Sequence, residues 1–291
     1  MGRTVLDEIA ERTVVRVGEL KKKRDLADVR REAEGMGKPA GDRFPFREAL
    51  AVPDLSFICE VKKASPSKGV IAEEFPYLAI AKEYEAAGAA AISVLTEPYY
   101  FLGSDAYLEE IAKAVSVPLL RKDFTVDAYQ IYEARLLGAS AVLLIAALLN
   151  GGQIKEYLAV ARSLGLSALV EVHTEAEMET ALQSGADIIG VNNRDLHTFE
   201  VDIRTSVRLR KLAPDGILFV AESGIRTPED VAVLREQKVD AVLAGEILMR
   251  SVDKRRQLEI LRNGGKSCKT GNSGEAADGC TDGKGEGTEA L

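Results

Sequence analysis

The chain has 291 residues, 46% of them hydrophobic and 29% charged, with a formal net charge of -8 at pH 7. That balance argues against nucleic acid as a partner, which would call for a basic stripe. The one basic cluster, Lys21-Lys22-Lys23-Arg24, runs into mixed charge and reads as a solvated helix face. Three cysteines and two histidines, with none at metal-ligand spacing, argue against a disulfide framework and a structural zinc site. The longest apolar run, Ala139 to Leu149, contains Ser140 and falls short of the ~20 residues a bilayer span takes. Asp7 and Glu8 stand where a secretory leader needs apolar residues, and Leu6 breaks the myristoylation pattern. A soluble, reduced, cytoplasmic protein is expected.

In chain order, the N-terminal stretch is helical in pattern. Thr4 with Asp7 resembles a capping start, and Leu6, Ile9, Ala10, Val14, Val17 and Leu20 recur at helical spacing. The helix is expected to continue to about Ala33, before Gly35-Met36-Gly37-Lys38-Pro39 breaks it. This arm, residues 1–47, precedes the first strand, so it must pack on the main domain or cover something.

From residue 57 one unit repeats. Short β-rich runs start near 58, 90, 118, 141, 168, 187, 218 and 241. Amphipathic stretches of helical period lie between them, among them Tyr77–Ala87, Ala128–Leu137, Ile154–Leu164 and Pro228–Arg235. Strand and helix alternating in this way imply parallel strands joined by right-handed crossovers. Eight units predict an α/β fold, a (β/α)8 barrel over residues 48–262, a size such barrels commonly have. An open doubly wound sheet is the alternative, weakened because no Gly-x-Gly-x-x-Gly turn follows the first strand. Residues 263–291 hold 8 of the 25 glycines and no Val, Ile, Phe or Tyr. Such a segment has nothing to bury against the entropy of ordering it, so a disordered tail is expected, with Cys268 and Cys280 as inert thiols.

Several apolar runs end in a charge or amide: Glu60 and Lys62, Lys122, Glu171, Asn192 and Glu222. In a barrel the C-terminal strand ends converge on one mouth, where active sites are built. One such residue could merely mark where a strand meets water. For six together that reading is much weaker, because burying unpaired charge is costly. Two lysines among three carboxylates point to general acid–base chemistry on an anionic substrate. Ser223-Gly224 and Gly245-Glu246, after the last two runs, are placed where barrels often bind phosphate, and Ser65 to Gly69 offers further donors. His173 and His197 have no ligand-spaced partner and are expected to hydrogen-bond within their loops. Phe101 and Phe124 either cap the core or sandwich an aromatic ring, and both readings stand open.

Six motifs, in order, resemble the indole-3-glycerol phosphate synthase family: Glu60-Val-Lys-Lys-Ala-Ser-Pro-Ser-Lys-Gly69, Glu97-Pro-Tyr-Tyr-Phe-Leu-Gly-Ser104, Arg121-Lys-Asp-Phe124, Leu169-Val-Glu-Val-His173, Gly190-Val-Asn-Asn-Arg-Asp-Leu196 and Ala221-Glu-Ser-Gly-Ile225. The likeness covers about residues 3–262. Arg121, where an apolar residue is expected, and Glu246, where Ser is also common, are its departures. The resemblance implies ring closure of 1-(2-carboxyphenylamino)-1-deoxyribulose 5-phosphate to indole-3-glycerol phosphate, with loss of CO2 and water and without metal or organic cofactor.

It also implies roles, among them an N-terminal arm that covers the barrel mouth and contributes to substrate binding. Lys122 would be the general acid. Lys62 would hold the substrate carboxylate and could donate a proton in the dehydration. Glu171 would stabilise the developing cation and act as base, with Glu60 and Glu222 shaping the charge around the lysines. Asn192 and Arg194 would order the sugar hydroxyls. Ser65, Ser223, Gly224, Gly245 and Glu246 would take the phosphate side, and Phe101, Phe124, Leu143, Ile145 and Leu196 would line the anthranilate pocket. The expected partner is the small phosphorylated substrate alone, on a monomer or, as the alternative, a weak homodimer, with no nucleic acid and no membrane. Two other readings compete. A phosphoribosylanthranilate isomerase would want a Cys/Asp pair at the mouth, whereas Cys59 neighbours Glu60 and should point away from it. A barrel that binds without catalysing would lack Lys122 or Glu171, and both are present.

Overall fold

A computed structural model describes residues 4–38, 43–195 and 198–264. The helices are α1 (Val5–Lys23), α2 (Leu26–Gly35), α3 (Pro45–Leu50), α4 (Tyr77–Ala86), α5 (Asp105–Ala114), α6 (Ala128–Leu136), α7 (Gly151–Ser163), α8 (Glu175–Gln183), α9 (Arg204–Arg210), α10 (Pro228–Glu236), α11 (Glu246–Arg250) and α12 (Lys254–Arg262). The strands are β1 (Ser56–Val61), β2 (Ala64–Ser65), β3 (Gly69–Val70), β4 (Ala91–Leu95), β5 (Leu119–Lys122), β6 (Ala141–Ile145), β7 (Ser167–Val172), β8 (Ile188–Asn192), β9 (Leu218–Glu222) and β10 (Ala241–Ala244). All but the β2–β3 hairpin form one closed parallel barrel, β1-β4-β5-β6-β7-β8-β9-β10, in which β10 pairs back onto β1 through Ser56↔Ala241 and Cys59↔Ala244. The expected (β/α)8 architecture is therefore what the chain adopts.

Strand periodicity sorts residues into two cores. Cys59, Val61, Val170, Val172, Val191 and Phe219 face outward and pack against the helices. Ile58, Leu120, Leu143, Leu169, Val220 and Leu243 face inward and fill the barrel. The same alternation carries Glu60, Lys62, Lys122, Glu171, Asn192 and Glu222 to the inner face, one or two steps nearer the mouth. Gly190 on β8 is needed there: a Cβ at this position would collide with the Glu222 carboxylate.

The N-terminal arm is two helices rather than one. The helix expected to run to Ala33 stops at Lys23, because the Asp25 side chain accepts from the Ala27 amide and caps a new start. The predicted start is as expected, with Thr4 and Asp7 forming a reciprocal capping box. Leu6 and Ile9 of α1 join the inner core together with Phe124. Phe46 and Leu50 of α3 join it as well, near Asp187 at the entry to β8, which Arg47 contacts at 3.2 Å. α1 and α3 thus pack at opposite ends of the barrel. No helix among the described residues is long and apolar enough to cross a membrane. The tail expected over 263–291 lies, from residue 265 onward, outside the described residues, as do Cys268, Cys280, Leu196 and His197.

Candidate active site

The strand ends open into a cavity of about 280 Å³. Sixteen of the predicted site residues line it: Glu60, Lys62, Ser65, Phe101, Lys122, Phe124, Leu143, Ile145, Glu171, Asn192, Arg194, Glu222, Ser223, Gly224, Gly245 and Glu246.

Lys122, at the end of β5, donates to Glu171 on β7 and to Glu222 on β9, both at 2.8 Å. Burial alone would push the Lys122 ammonium toward its neutral form. The charges of Glu171, Glu222 and Glu60 outweigh that, and its pKa stands above the ordinary lysine value. Burial likewise raises Glu171, but Lys122, His173 and the hydrogen bonds from Lys122 and Asn192 outweigh it and hold it below the usual carboxylate range. Glu222 goes the other way: burial, reinforced by the nearby Glu171 and Glu60 charges, prevails over Lys122 and carries it to about 7. One ammonium therefore sits between a carboxylate held ionised and a carboxylate poised to take a proton.

A second centre lies beside it. Lys62 is ion-paired with Glu60 two residues earlier on β1, and Gly245 keeps the backbone clear of both, since a Cβ there would come within 2.5 Å of Glu60 Oε2 and 3.0 Å of Lys62 Nζ. Asn192 links the centres to the next loop, donating to Glu171 at 3.2 Å and accepting from the Arg194 amide at 3.1 Å.

One side of the mouth is suited to an anion. Ser223 and Gly224 both carry positive φ, 63° and 83°. This conformation is strained for serine. It is held by Asn193, whose side chain donates to the Ser223 carbonyl and accepts from the amide and hydroxyl of Ser206. Arg226 and Arg250 line the same side. The Glu246 carboxylate pairs with Arg250 at 3.2 Å, so the backbone of residue 246 rather than its charge is what an anion would meet.

The opposite side is apolar. Glu97, buried, accepts from the amides of Tyr99, Tyr100 and Phe101 and thereby shapes the loop that presents Phe101. The Phe101 and Phe124 rings pack on each other, with centroids 6.1 Å apart and planes at 43°. Each ring already occupies the face a sandwiched ligand ring would need, so together they make a single wall.

Arg121, the departure noted above, faces outward. It bonds Asp105 and Glu133 at 2.7 Å and the Gln130 carbonyl at 2.9 Å. Sequence reasoning missed Val5, Leu6 and Ile9 of α1, which also line the cavity. The amphipathic period of α1 gave its buried face and the resemblance gave the mouth as the surface covered, but neither singled out these three residues. It missed Arg226 and Arg250 as well, although Arg226 directly follows the Ser223-Gly224-Ile225 turn. His173 makes the expected local hydrogen bonds, its amide to Glu177 at 2.8 Å and Nδ1 to the same oxygen at 3.2 Å.

A family model described as indole-3-glycerol phosphate synthase matches residues 6–261. A protein of that name from Ruminiclostridium cellulolyticum is 56% identical over 258 residues, covering 89% of this chain and 98% of that one. Another, from Endomicrobium trichonymphae, is 51% identical, covering 89% of this chain and all of the other. Among solved structures, 3-hexulose-6-phosphate synthase from Salmonella typhimurium superimposes with a TM-score of 0.58 at 13% identity, covering 72% of this chain and 98% of that one. Thiamine phosphate pyrophosphorylase from Pyrococcus furiosus does so at 0.55 and 18% identity, covering 72% and 94%. These two likenesses speak for the barrel fold alone.

Proposed function

This chain belongs to the indole-3-glycerol phosphate synthase family, and on that premise we propose how its residues divide the work. The enzyme closes 1-(2-carboxyphenylamino)-1-deoxyribulose 5-phosphate to indole-3-glycerol phosphate with loss of CO2 and water, a carboxy-lyase step of tryptophan biosynthesis.

Lys122 is the general acid. It protonates the substrate carbonyl oxygen as the carboxyl-bearing ring carbon attacks the carbonyl carbon. Lys62 holds the carboxylate until it departs as CO2, and then offers a proton to the leaving hydroxyl. Glu171 stabilises the cation formed on ring closure and removes the proton that restores the aromatic system. Glu60 and Glu222 shape the charge around the two lysines, and Glu222, near neutrality itself, can take up the charge balance when Lys122 gives up its proton. Asn192 and Arg194 order the sugar hydroxyls. Ser65, Ser223, Gly224, Gly245 and the backbone of Glu246 take the phosphate, with Arg226 and Arg250 adding charge. Phe101, Phe124, Leu143 and Ile145 hold the aromatic ring, and α1 covers it through Leu6 and Ile9.

The observation that carries this reading is the pair of 2.8 Å bonds from Lys122 to Glu171 and Glu222 at the cavity. An ammonium so held stays protonated until a substrate oxygen competes for it. Turnover of Lys122→Ala, followed by indole fluorescence against a chain with no tryptophan, tests it: near-normal kcat would remove Lys122 from the role. Cys59, the one cysteine of the barrel, is buried with its thiol pushed up to about 12, which weighs against Cys/Asp isomerase chemistry. We further propose a cytoplasmic protein, monomeric or as the alternative a weak homodimer, with residues 1–47 as arm and 48–262 as catalytic barrel.

A further inference from the structure

His173 lies just past β7 and outside the set of residues that line the cavity, yet its imidazole is built into the carboxylate cluster. Glu177, at the third position of α8, accepts from both the His173 amide (2.8 Å) and Nδ1 (3.2 Å) through a single oxygen. Glu177 is itself placed by its backbone N–H, which donates to the hydroxyl of Thr174, the cap of α8. The ring is thereby oriented, and its other nitrogen, Nε2, is buried and comes within 3.4 Å of Glu171 Oε1. Nε2 has no hydrogen-bond partner among the described residues. The two oxygens of Glu171 are consequently met by different groups: Oε2 by Lys122, and Oε1 by Asn192 and the approaching imidazole.

We propose that His173, clamped by Glu177, is a positioning residue that holds Glu171 ionised and aimed into the cavity. This inference rests on the reading of Glu171 as base and cation stabiliser. The chemistry needs such a partner. Lys122 is the neutralising charge on Glu171, and it is also the group that gives up its proton to substrate. At that moment a carboxylate buried in a low dielectric would lose its counter-charge and tend to protonate, just when the developing cation requires it as an anion. An imidazolium on the other oxygen keeps the charge in place while Lys122 is committed elsewhere. The groups facing His173 are Glu171 on β7, Glu177 on α8 and Glu222 on β9, with Lys122 of β5 reaching it through Glu171. Burial works against a charged ring, but the bond to Glu177 and the charges of Glu171, Glu177 and Glu222 outweigh it and hold the imidazole above its ordinary value.

The experiment combines pH–rate profiles with histidine NMR on the full-length enzyme. In His173→Phe the acid limb of kcat should move up by about one pH unit, the low end of what one nearby opposite charge supplies. KM should stay within about twofold, because His173 does not touch the cavity. In His173→Gln, which can donate but carries no charge, the plateau kcat should largely return while the limb stays displaced. The chain has only two histidines, so the imidazole signal lost in His173→Gln is assigned directly. In wild type that signal should titrate above the ordinary histidine value, and in Glu171→Gln it should titrate lower. An acid limb that keeps its wild-type position in both His173 variants, or a His173 titration indifferent to Glu171→Gln, overturns the proposal. If His173→Phe fails to fold, the Gln variant and the wild-type titration decide. Full activity in Glu171→Gln would instead overturn the underlying role of Glu171, a result separable from the first.

Discussion

Arg121 and Lys122 are neighbours on β5, and both are buried cations bonded to carboxylates. Arg121 faces the helical layer. Asp105, Glu133, Thr96 and the Gln130 carbonyl surround its guanidinium, and Asp123, which receives both Arg16 and Thr96, stands 3.7 Å away. Lys122 faces the barrel interior, and its two carboxylates border open space rather than packed side chains. The difference teaches that buried charge by itself does not mark a catalytic site. A cation that is fully enclosed ties elements together, and one whose partners line a cavity can exchange a partner for substrate. The Arg16–Asp123 pair, at 2.7 Å, also fastens the arm to the strand that carries Lys122.

That contrast can be broken most forcefully at Lys122. Lys122→Ala and Glu171→Gln should each lower kcat by ~10²–10⁴-fold, the range of positioned proton transfer, with thermal melts showing a folded protein. Arg121→Met should do the reverse. It strands the largely buried Glu133 without its counter-charge, and breaking a buried pair costs about 3–5 kcal/mol. The melting temperature should then drop by roughly 10 °C for a chain of this size, while kcat of the folded fraction stays near wild type. If Arg121→Met abolished turnover without a stability loss, the separation of the two cations would fail.

Lys62→Ala should have a smaller and mixed effect. Loss of a charged hydrogen bond to the substrate carboxylate is worth about 1.5–3 kcal/mol, so kcat/KM should fall roughly 10- to 100-fold, with KM carrying a visible share. A pure kcat defect would move Lys62 from binding to proton transfer.

The smallest effect is in pH dependence. Glu222 has its folded value raised to about 7 by burial and neighbouring carboxylates. Its contribution to stability is therefore complete at acid pH, below the ordinary carboxylate range, and is lost as pH rises through about 7. Melts of wild type and Glu222→Gln should diverge over that window, with wild type losing ground toward alkaline pH. The inflection near neutrality in the wild-type rate profile should be absent from the variant. Parallel melting curves across that range would place the proton elsewhere in the Lys122–Glu171–Glu222 cluster.

Much of this was legible along the chain, for identifiable reasons. The eight β-rich runs begin within two residues of the barrel strands β1 and β4 to β10, because strands buried on both faces need continuous apolar stretches. The charges that end those runs fall at one mouth because all eight strands are parallel. The predicted anion-binding turn at Ser223-Gly224 is common in sequence but unusual in backbone, with both residues at positive φ. The break at Asp25 was not legible, since helical period continues on both sides of it and the cap works through one side-chain bond. The resemblance placed the arm over the mouth, but that Leu6 and Ile9 are the residues facing it was not legible, because an amphipathic helix shows that it has a buried face without naming the surface that buries it.

By itself, then, the sequence determined the strand and helix order, the parallel barrel and the identities of the polar residues that terminate the inner strands. These follow from local periodicity and from the cost of burying charge, both of which act over a few neighbouring residues. The tertiary structure alone decided which lysine meets which carboxylates, and which groups of the helical layer enclose Arg121. It also decided that α3 packs at the end of the barrel opposite α1. Those outcomes depend on groups 49, 100 and 107 positions apart in the chain, as Lys122–Glu171, Lys122–Glu222 and Arg16–Asp123 are, brought together only when the barrel closes and every strand takes its register.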